Sequence, residues 1–202
     1  MELEDIELSI NYQDYTPPNE IRLIVYYSML TSGKILEVGC NKGTTTYELA
    51  TYNPDREVIA IDYTDESIVY GDIDPTLGIP IKIGRNNGHP QDLETPTIEE
   101  FGCKVRDLNN VVLINQDSKT YEYDEDIHFI FIDADHTYEG VKADTDKALE
   151  HINKYGGTIV WHDYYETDSD SWVGVKKYLD ELELDIIHIP NTWLAMYTVP
   201  MS

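Results

Sequence analysis

Ten residues, Lys34 to Gly43 (Lys-Ile-Leu-Glu-Val-Gly-Cys-Asn-Lys-Gly), limit the choice of fold more than any other stretch of the chain. Ile35, Leu36 and Val38 predict a buried strand that turns at Gly39. The chain then passes Cys40, Asn41 and Lys42 and reaches Gly43, where a helix opens. Gly39 has no Cβ, so the backbone can turn sharply and come close to a ligand. The free N–H groups of the helix that follows face the same ligand. Glu37 sets a carboxylate at the carboxyl end of the strand, where open α/β sheets bind their ligands. The spacing is Glu-x-Gly-x-x-x-Gly, not the Gly-x-Gly-x-x-Gly of dinucleotide sites. An acid here repels a pyrophosphate and attracts a cation. The plain alternative is a strand-turn-helix with an incidental Glu.

The remaining apolar runs alternate with helical patterns. Pro17 and Pro18 lead into a helix to about Leu30, with Ile21, Ile24, Val25 and Ser28 inward. Gly43 to Thr51 reads as a second helix. Glu57 to Asp62 is a buried parallel strand whose final acid, Asp62, can accept two hydrogen bonds from a ribose diol. Glycines and prolines break the pattern from 71 to 96, which predicts an irregular insertion with one short edge strand over 79–83. Thr97 to Asn109 has a helical period through Ile98, Phe101 and Val105. Asn110 to Ile114 is a third strand, closed by Asn115-Gln116-Asp117-Ser118. Ile127 to Asp133 is the fourth, followed by a helix ended by Gly156-Gly157. Thr158 to Trp161 is the fifth, ending in His162-Asp163. Ser171 to Leu182 predicts a helix, and 185–189 with 192–198 an antiparallel hairpin. The fold class is α/β: a doubly wound, mostly parallel sheet with a C-terminal antiparallel hairpin. An acidic arm (1–18), mobile over residues 1–16, is expected to precede a single domain (19–202).

Two strand ends carry dense polar groups: Asp133, Asp135 and His136 at one, His162 and Asp163 at the other. In a doubly wound sheet both open on one crevice. Carboxylates about 4 Å apart repel by about 4 kcal/mol at an effective dielectric near 20, so they need a shared proton or a cation. Oxygen donors with one imidazole suit Mg²⁺, Ca²⁺ or Mn²⁺ better than zinc. For His136 a cap on the following helix competes with a role as base. For His162 a ligand or supporting role competes with a plain buried histidine. His89, His128, His151 and His188 read as structural or solvated.

The first motif resembles that of the class I S-adenosylmethionine-dependent methyltransferases. The resemblance implies a seven-stranded Rossmann-like sheet and a cofactor held by Glu37, Gly39, Cys40, Asn41, Gly43, Asp62, Tyr63, Asp117, Ser118 and Asp133. Tyr63 would lie beside the adenine, and Asp117 or a neighbour would accept its amino group. The leading helix would cover the mouth of the site. Ile-Asp-Ala-Asp-His-Thr-Tyr-Glu-Gly-Val and Gly-Gly-Thr-Ile-Val-Trp-His-Asp-Tyr are similar, more narrowly, to the metal-dependent macrolide-sugar O-methyltransferase and cephalosporin-hydroxylase-like group. That likeness implies Asp133 as a metal ligand, His136 as base, and an acid pair ending the next strand. Here the pair is His162-Asp163, so the implied metal set is Asp133, His162 and Asp163, holding Mg or Mn. The implied reaction is methyl transfer to a hydroxyl of a sugar, polyol or phenol, with Asp133, His136 and His162 as catalytic residues.

The net charge of −25 argues against a nucleic-acid substrate, since phosphate binding needs clustered Lys and Arg. The acids are scattered, as solubility or adaptation to salt would have them. Cys40 and Cys103 make no disulfide framework, which fits a cytoplasmic setting. Neither a spanning helix nor a secretory signal is indicated. The expected partner is a small molecule, with no nucleic acid and no membrane, and self-association stays open. Three rivals remain: a metal-free methyltransferase, a non-catalytic binding or assembly protein on the same fold, and a nicotinamide oxidoreductase, which the glycine spacing disfavours.

Overall fold

The computed structural model describes residues 2–9, 16–64, 69–73, 80–83, 95–166 and 173–200. Seven strands form one sheet: β1 (Lys34–Val38), β2 (Val58–Asp62), β5 (Val111–Asn115), β6 (Ile127–Ile132), β7 (Gly157–Trp161), β8 (Ile187–His188) and β9 (Ala195–Val199). Their order is β5-β2-β1-β6-β7-β9-β8. The first five run parallel, and β9 is antiparallel to both β7 and β8. Two further strands, β3 (Val69–Ile73) and β4 (Pro80–Ile83), pair antiparallel in a separate ribbon. β4 is therefore not an edge of the main sheet. β3 was not expected, and 74–79 and 84–94, with His89, lie outside the described residues.

Side chains alternate across the central strands and so feed two cores. Leu36, Val38, Ile59, Ile61, Ile130, Ile132 and Trp161 pack on one face. They meet α3 (Tyr138–Tyr155) and α4 (Val175–Glu181) there. Ile35, Val58, Phe129, Phe131 and Val160 face the other way, against α1 (Pro18–Met29) and α2 (Thr44–Tyr52). The same alternation sends Glu37 to the α2 side. Residues 2–9 dock there too: Ile6 is buried, Arg22 Nε donates to the Ile6 carbonyl, and Tyr52 Oη donates to that of Glu7. The start of the acidic arm is thus packed rather than mobile.

Two helical expectations change. Over 97–108 the chain makes successive turns, with hydrogen bonds such as Cys103 N to Glu100 O and Val105 N to Gly102 O, instead of a regular helix. Gly102 has φ +57°, which ends any helix there, and a Cβ on it would strike Leu113. α4 begins at Val175; the first residues of its expected span, Ser171 and Trp172, lie outside the described residues.

The register sets the site. Val38 pairs with Ile61 and Ile132, and Ile132 with Trp161. Four strands therefore end level, and the next residues are Gly39, Asp62 (the last of β2), Asp133 and His162. Strand order reverses between β1 and β6, the switch point where doubly wound sheets bind ligands.

Candidate active site

Gly39 turns at φ +93°, and a Cβ there would lie 2.0 Å from the carbonyl oxygen of Asp133. Only glycine lets β1 leave the sheet beside β6 in this way. Asn41 follows in the left-handed region, φ +46°, and its N–H donates to Asp62 Oδ2 at 2.6 Å. The N–H of Tyr63 donates to Asp62 Oδ1 at 2.7 Å. Two backbone donors thus fix the Asp62 carboxylate at the strand end. Gly43 is the N-cap of α2, whose first turn opens on this loop. Glu37 is buried and accepts from Thr46 Oγ1 of α2. Burial pushes its carboxyl up to about 8, against the pull of the Thr46 hydrogen bond and with help from Asp133 and Asp62.

On the far side of the switch point, five polar side chains converge. His136 Nε2 lies 3.2 Å from Asp133 Oδ1 and 3.1 Å from Asp163 Oδ2. His162 Nδ1 lies 3.2 Å from the same Asp133 Oδ1 and 3.4 Å from Asp163 Oδ1. His162 Nε2 lies 2.8 Å from Glu20 Oε2, and Glu20 Oε1 accepts from the Trp193 N–H at 2.7 Å. Both ring nitrogens of His162 face carboxylates, so both donate and the ring is an imidazolium. Burial works to lower its pKa, but the charge of Asp133 and the bonds to Asp133, Asp163 and Glu20 push it well above the ordinary histidine value. Burial likewise works to raise Asp133, yet the His162 charge and the bonds from both imidazoles hold it well below the ordinary range. Three carboxylates, of Asp133, Asp163 and Glu20, thus surround the His162 imidazolium.

The ligand-capable atoms of Asp133, His136 and Asp163 all lie within 4.8 Å of one another. The trio differs from the sequence-derived set in one member. His136 takes the place of His162, which is held from behind by Glu20. His136 does not cap α3: Thr137 does, its Oγ1 accepting from the Gly140 N–H at 3.1 Å. Asp163 sits at φ +57°, a left-handed residue at the centre of the cluster.

The remaining candidates divide by place. Cys40 is buried within the turn, and Tyr63 is exposed beside Asp62. Asp117 caps a short turn over Ser118–Thr120 by accepting from the Lys119 N–H, and Ser118 Oγ donates to Asp144 at 2.6 Å. This loop continues β5 next to Asp62, since Gln116 N donates to the Asp62 carbonyl. Asp135 lies apart from the trio, bonded to the N–H and Oγ1 of Thr137. His128, His151 and His188 bond backbone carbonyls of Gly156, Ile127 and Thr192. Glu20 was missed. Its signal was position: it lies four residues before Ile24, on the stripe that α1 buries, and is 3 % exposed.

Residues 36–164, which include Glu37, Gly39, Asp62, Asp133, His136, His162 and Asp163 but not Glu20 or Trp193, match the family described as methyltransferase domain. The chain belongs to that family. No curated protein matches it. Solved structures share its fold. Cofactor-bound Rv0187 from MTB is 17% identical, with a TM-score of 0.58 over 92% of this chain and 81% of that one. The SAH-bound Podospora anserina methyltransferase PaMTH1 is 16% identical, with a TM-score of 0.53 over 90% and 78%. The TDP-rhamnose 3'-O-methyltransferase CalS11 of calicheamicin biosynthesis is 16% identical, with a TM-score of 0.52 over 89% and 77%. The chain thus carries a methyltransferase domain on the fold of these solved methyltransferases. The groups present fit S-adenosylmethionine, the cofactor that the first motif implies: a Cβ-free turn at Gly39, an acid fixed at the end of β2, and a buried carboxyl on β1. Among the described residues, no helix is long and apolar enough to cross a membrane.

Proposed function

We propose that this methyltransferase transfers the methyl group to a hydroxyl of a small molecule, at the cluster of Asp133, His136 and Asp163. The observation that carries the reading is the convergence of these three side chains beside Gly39, at the carboxyl end of β6 and β7. S-adenosylmethionine supplies an already electrophilic methyl group on its sulfonium. A divalent ion held by Asp133, His136 and Asp163 would polarise the acceptor hydroxyl and lower its pKa, as zinc lowers that of water from about 15.7 to about 7.

The chain's own residues do the rest. Asp62 holds the ribose, and Asp117 and Ser118 face its base. Glu37 receives the ammonium end of the donor. Asp133 and Asp163 fix the His136 ring from both sides, so its Nε2 stays aimed at one point. His162, pinned by Glu20, keeps Asp133 ionised and in place and acts as a positioning residue.

A metal-free reading rests on a specific observation: His136 Nε2 already bonds both carboxylates. Its Nε2–H then donates to the two carboxylates, and the acceptor's proton would go to Nδ1, the other ring nitrogen. The test measures methyl transfer to a panel of sugars, polyols and phenols, with and without chelator, beside Mn²⁺ calorimetry on wild type and Asp163→Asn. The metal reading expects activity lost with chelator and Mn²⁺ binding lost in the variant. Full activity in chelator, with no Mn²⁺ uptake by wild type, leaves the metal-free reading standing.

A further inference from the structure

The crossover from β5 to β6 passes β2 and β1, yet residues 116–126 contain only the short turn Ser118–Thr120. A parallel crossover usually carries a helix of its own. Here α3, the helix after β6, holds the loop instead. It presents Asp144 and Lys147, which stand three residues apart and so share one face. Lys147 Nζ donates to the main-chain carbonyls of Ser118 and Lys119, each at 3.3 Å, and to that of Tyr121. All three donors of the ammonium are thus used on backbone. Its charge lies 5.1 Å from the centre of the Tyr123 ring. Ser118 Oγ donates to Asp144 Oδ1 at 2.6 Å. Asp144 is 2% exposed, so it can act on a ligand only through Ser118. Asp117 Oδ1 accepts from the Lys119 N–H at 3.0 Å, and the Thr120 N–H donates to the Asp117 carbonyl at 2.9 Å.

We infer that Asp144 and Lys147 are positioning residues that set the base specificity of the donor site, by holding Ser118 and Asp117 as hydrogen-bond acceptors only. A free serine hydroxyl both donates and accepts, so it serves a 6-amino and a 6-oxo purine alike. The bond to Asp144 uses the Ser118 hydroxyl proton and leaves only lone pairs for a ligand. The Asp117 carboxylate also offers lone pairs alone, and the Lys147 clamp holds the turn that it starts. Two neighbouring acceptors match the amino group of adenine, which donates. They reject the carbonyl oxygen of a 6-oxo purine, which cannot. A polar group left without its partner is the strong form of such discrimination. The inference rests on the reading that places the base of S-adenosylmethionine against Asp117 and Ser118. It adds the two residues of α3 that give this loop its polarity.

The test is calorimetry on the full chain with S-adenosylhomocysteine and S-inosylhomocysteine. The two share homocysteine and ribose and differ in the purine alone, 6-amino against 6-oxo. The wild type should prefer the adenosyl ligand by about 10- to 100-fold, the size of one acceptor left unpaired. Asp144→Asn keeps the shape, but its amide can donate to Ser118 and free that hydroxyl to donate in turn. The preference should fall by about tenfold. Lys147→Met keeps an apolar stem beside Tyr123 and releases the three carbonyls, and should lower the preference by about the same factor. The readout is a ratio of two affinities, so lost stability or a general weakening of cofactor binding does not move it. Once Ser118→Ala has removed the hydroxyl, adding Asp144→Asn should change the ratio by less than about twofold. Should Asp144→Asn fail to fold, Lys147→Met and Ser118→Ala carry the comparison. A ratio unchanged by Asp144→Asn or by Lys147→Met overturns the inference alone. So does a full effect of Asp144→Asn in the Ser118→Ala background, or equal affinity of the wild type for the two ligands. Failure of the wild type to bind S-adenosylhomocysteine overturns the parent reading, and this one with it.

Discussion

Replacing Glu37 by Gln isolates the electrostatic cost of an acid that the fold has buried. In the folded chain burial lifts the Glu37 carboxyl from 4.5 to about 8. In the unfolded chain it ionises near its ordinary value. Between those two pH values the unfolded state has released a proton that the folded state retains. Stability from this group is therefore whole below about pH 4.5, falls as pH rises, and levels off above about pH 8. From pH 5.5 to 8 the loss is about 3 kcal/mol, at about 1.4 kcal/mol per pH unit. Gln keeps the shape and the bond from Thr46 Oγ1 but cannot ionise. All other titrations cancel between the two proteins, so the difference in stability isolates Glu37. Thermal melts of both, free of cofactor, at pH 5.5, 7 and 8.5 provide the assay. The variant should gain on the wild type by about 6–12 °C across that range, at about 2–4 °C per kcal/mol for a chain of this length. Parallel melting temperatures at all three pH values would refute the buried, neutral Glu37.

Four shorter predictions follow from the same geometry. Binding of S-adenosylmethionine at pH 7 should release a proton as its ammonium ionises Glu37; calorimetry in buffers of differing ionisation enthalpy reads this, and the release should vanish in Glu37→Gln. Asp62→Ala removes the acceptor for the ribose and the anchor for the Asn41 N–H, and should weaken cofactor binding by about tenfold or more in calorimetry. Glu20→Ala leaves the buried His162 Nε2–H and the Trp193 N–H without their acceptor while Asp133 still balances the imidazolium, and should cost about 1–3 kcal/mol in urea unfolding. Gly39→Ala drives a Cβ into the Asp133 carbonyl, so it should abolish cofactor binding and lower the melting temperature, as read by thermal shift.

The strands were legible because each is a short, nearly continuous apolar run ending in a polar residue. Ile-His-Phe-Ile-Phe-Ile before Asp133 has few other ways to be buried. The turn after β1 was legible because an acid and two glycines at fixed spacing serve few purposes, and Gly39 and Gly43 both stand at positive φ. The helix expected over 97–109 failed because period alone cannot see a left-handed residue, and Gly102 supplies one. β3 was invisible in a stretch dense with glycine and aspartate. Asp133, His136, His162 and Asp163 were found by type, but their division of labour was not. It depends on Glu20, 142 residues from His162 in the chain. An acid in the first turn of a helix is ordinarily solvated and favoured there by the helix dipole. Only the placement of α1 over β7 turns it inward.

That long-range tie has a consequence for how the chain folds. Glu20 and His162 stand 142 residues apart, and the Trp193 N–H that grips the other oxygen of Glu20 stands 173 residues from it. Contacts of such separation carry a large loop-closure cost and slow folding. The central sheet can therefore assemble before the cluster at its carboxyl end is complete.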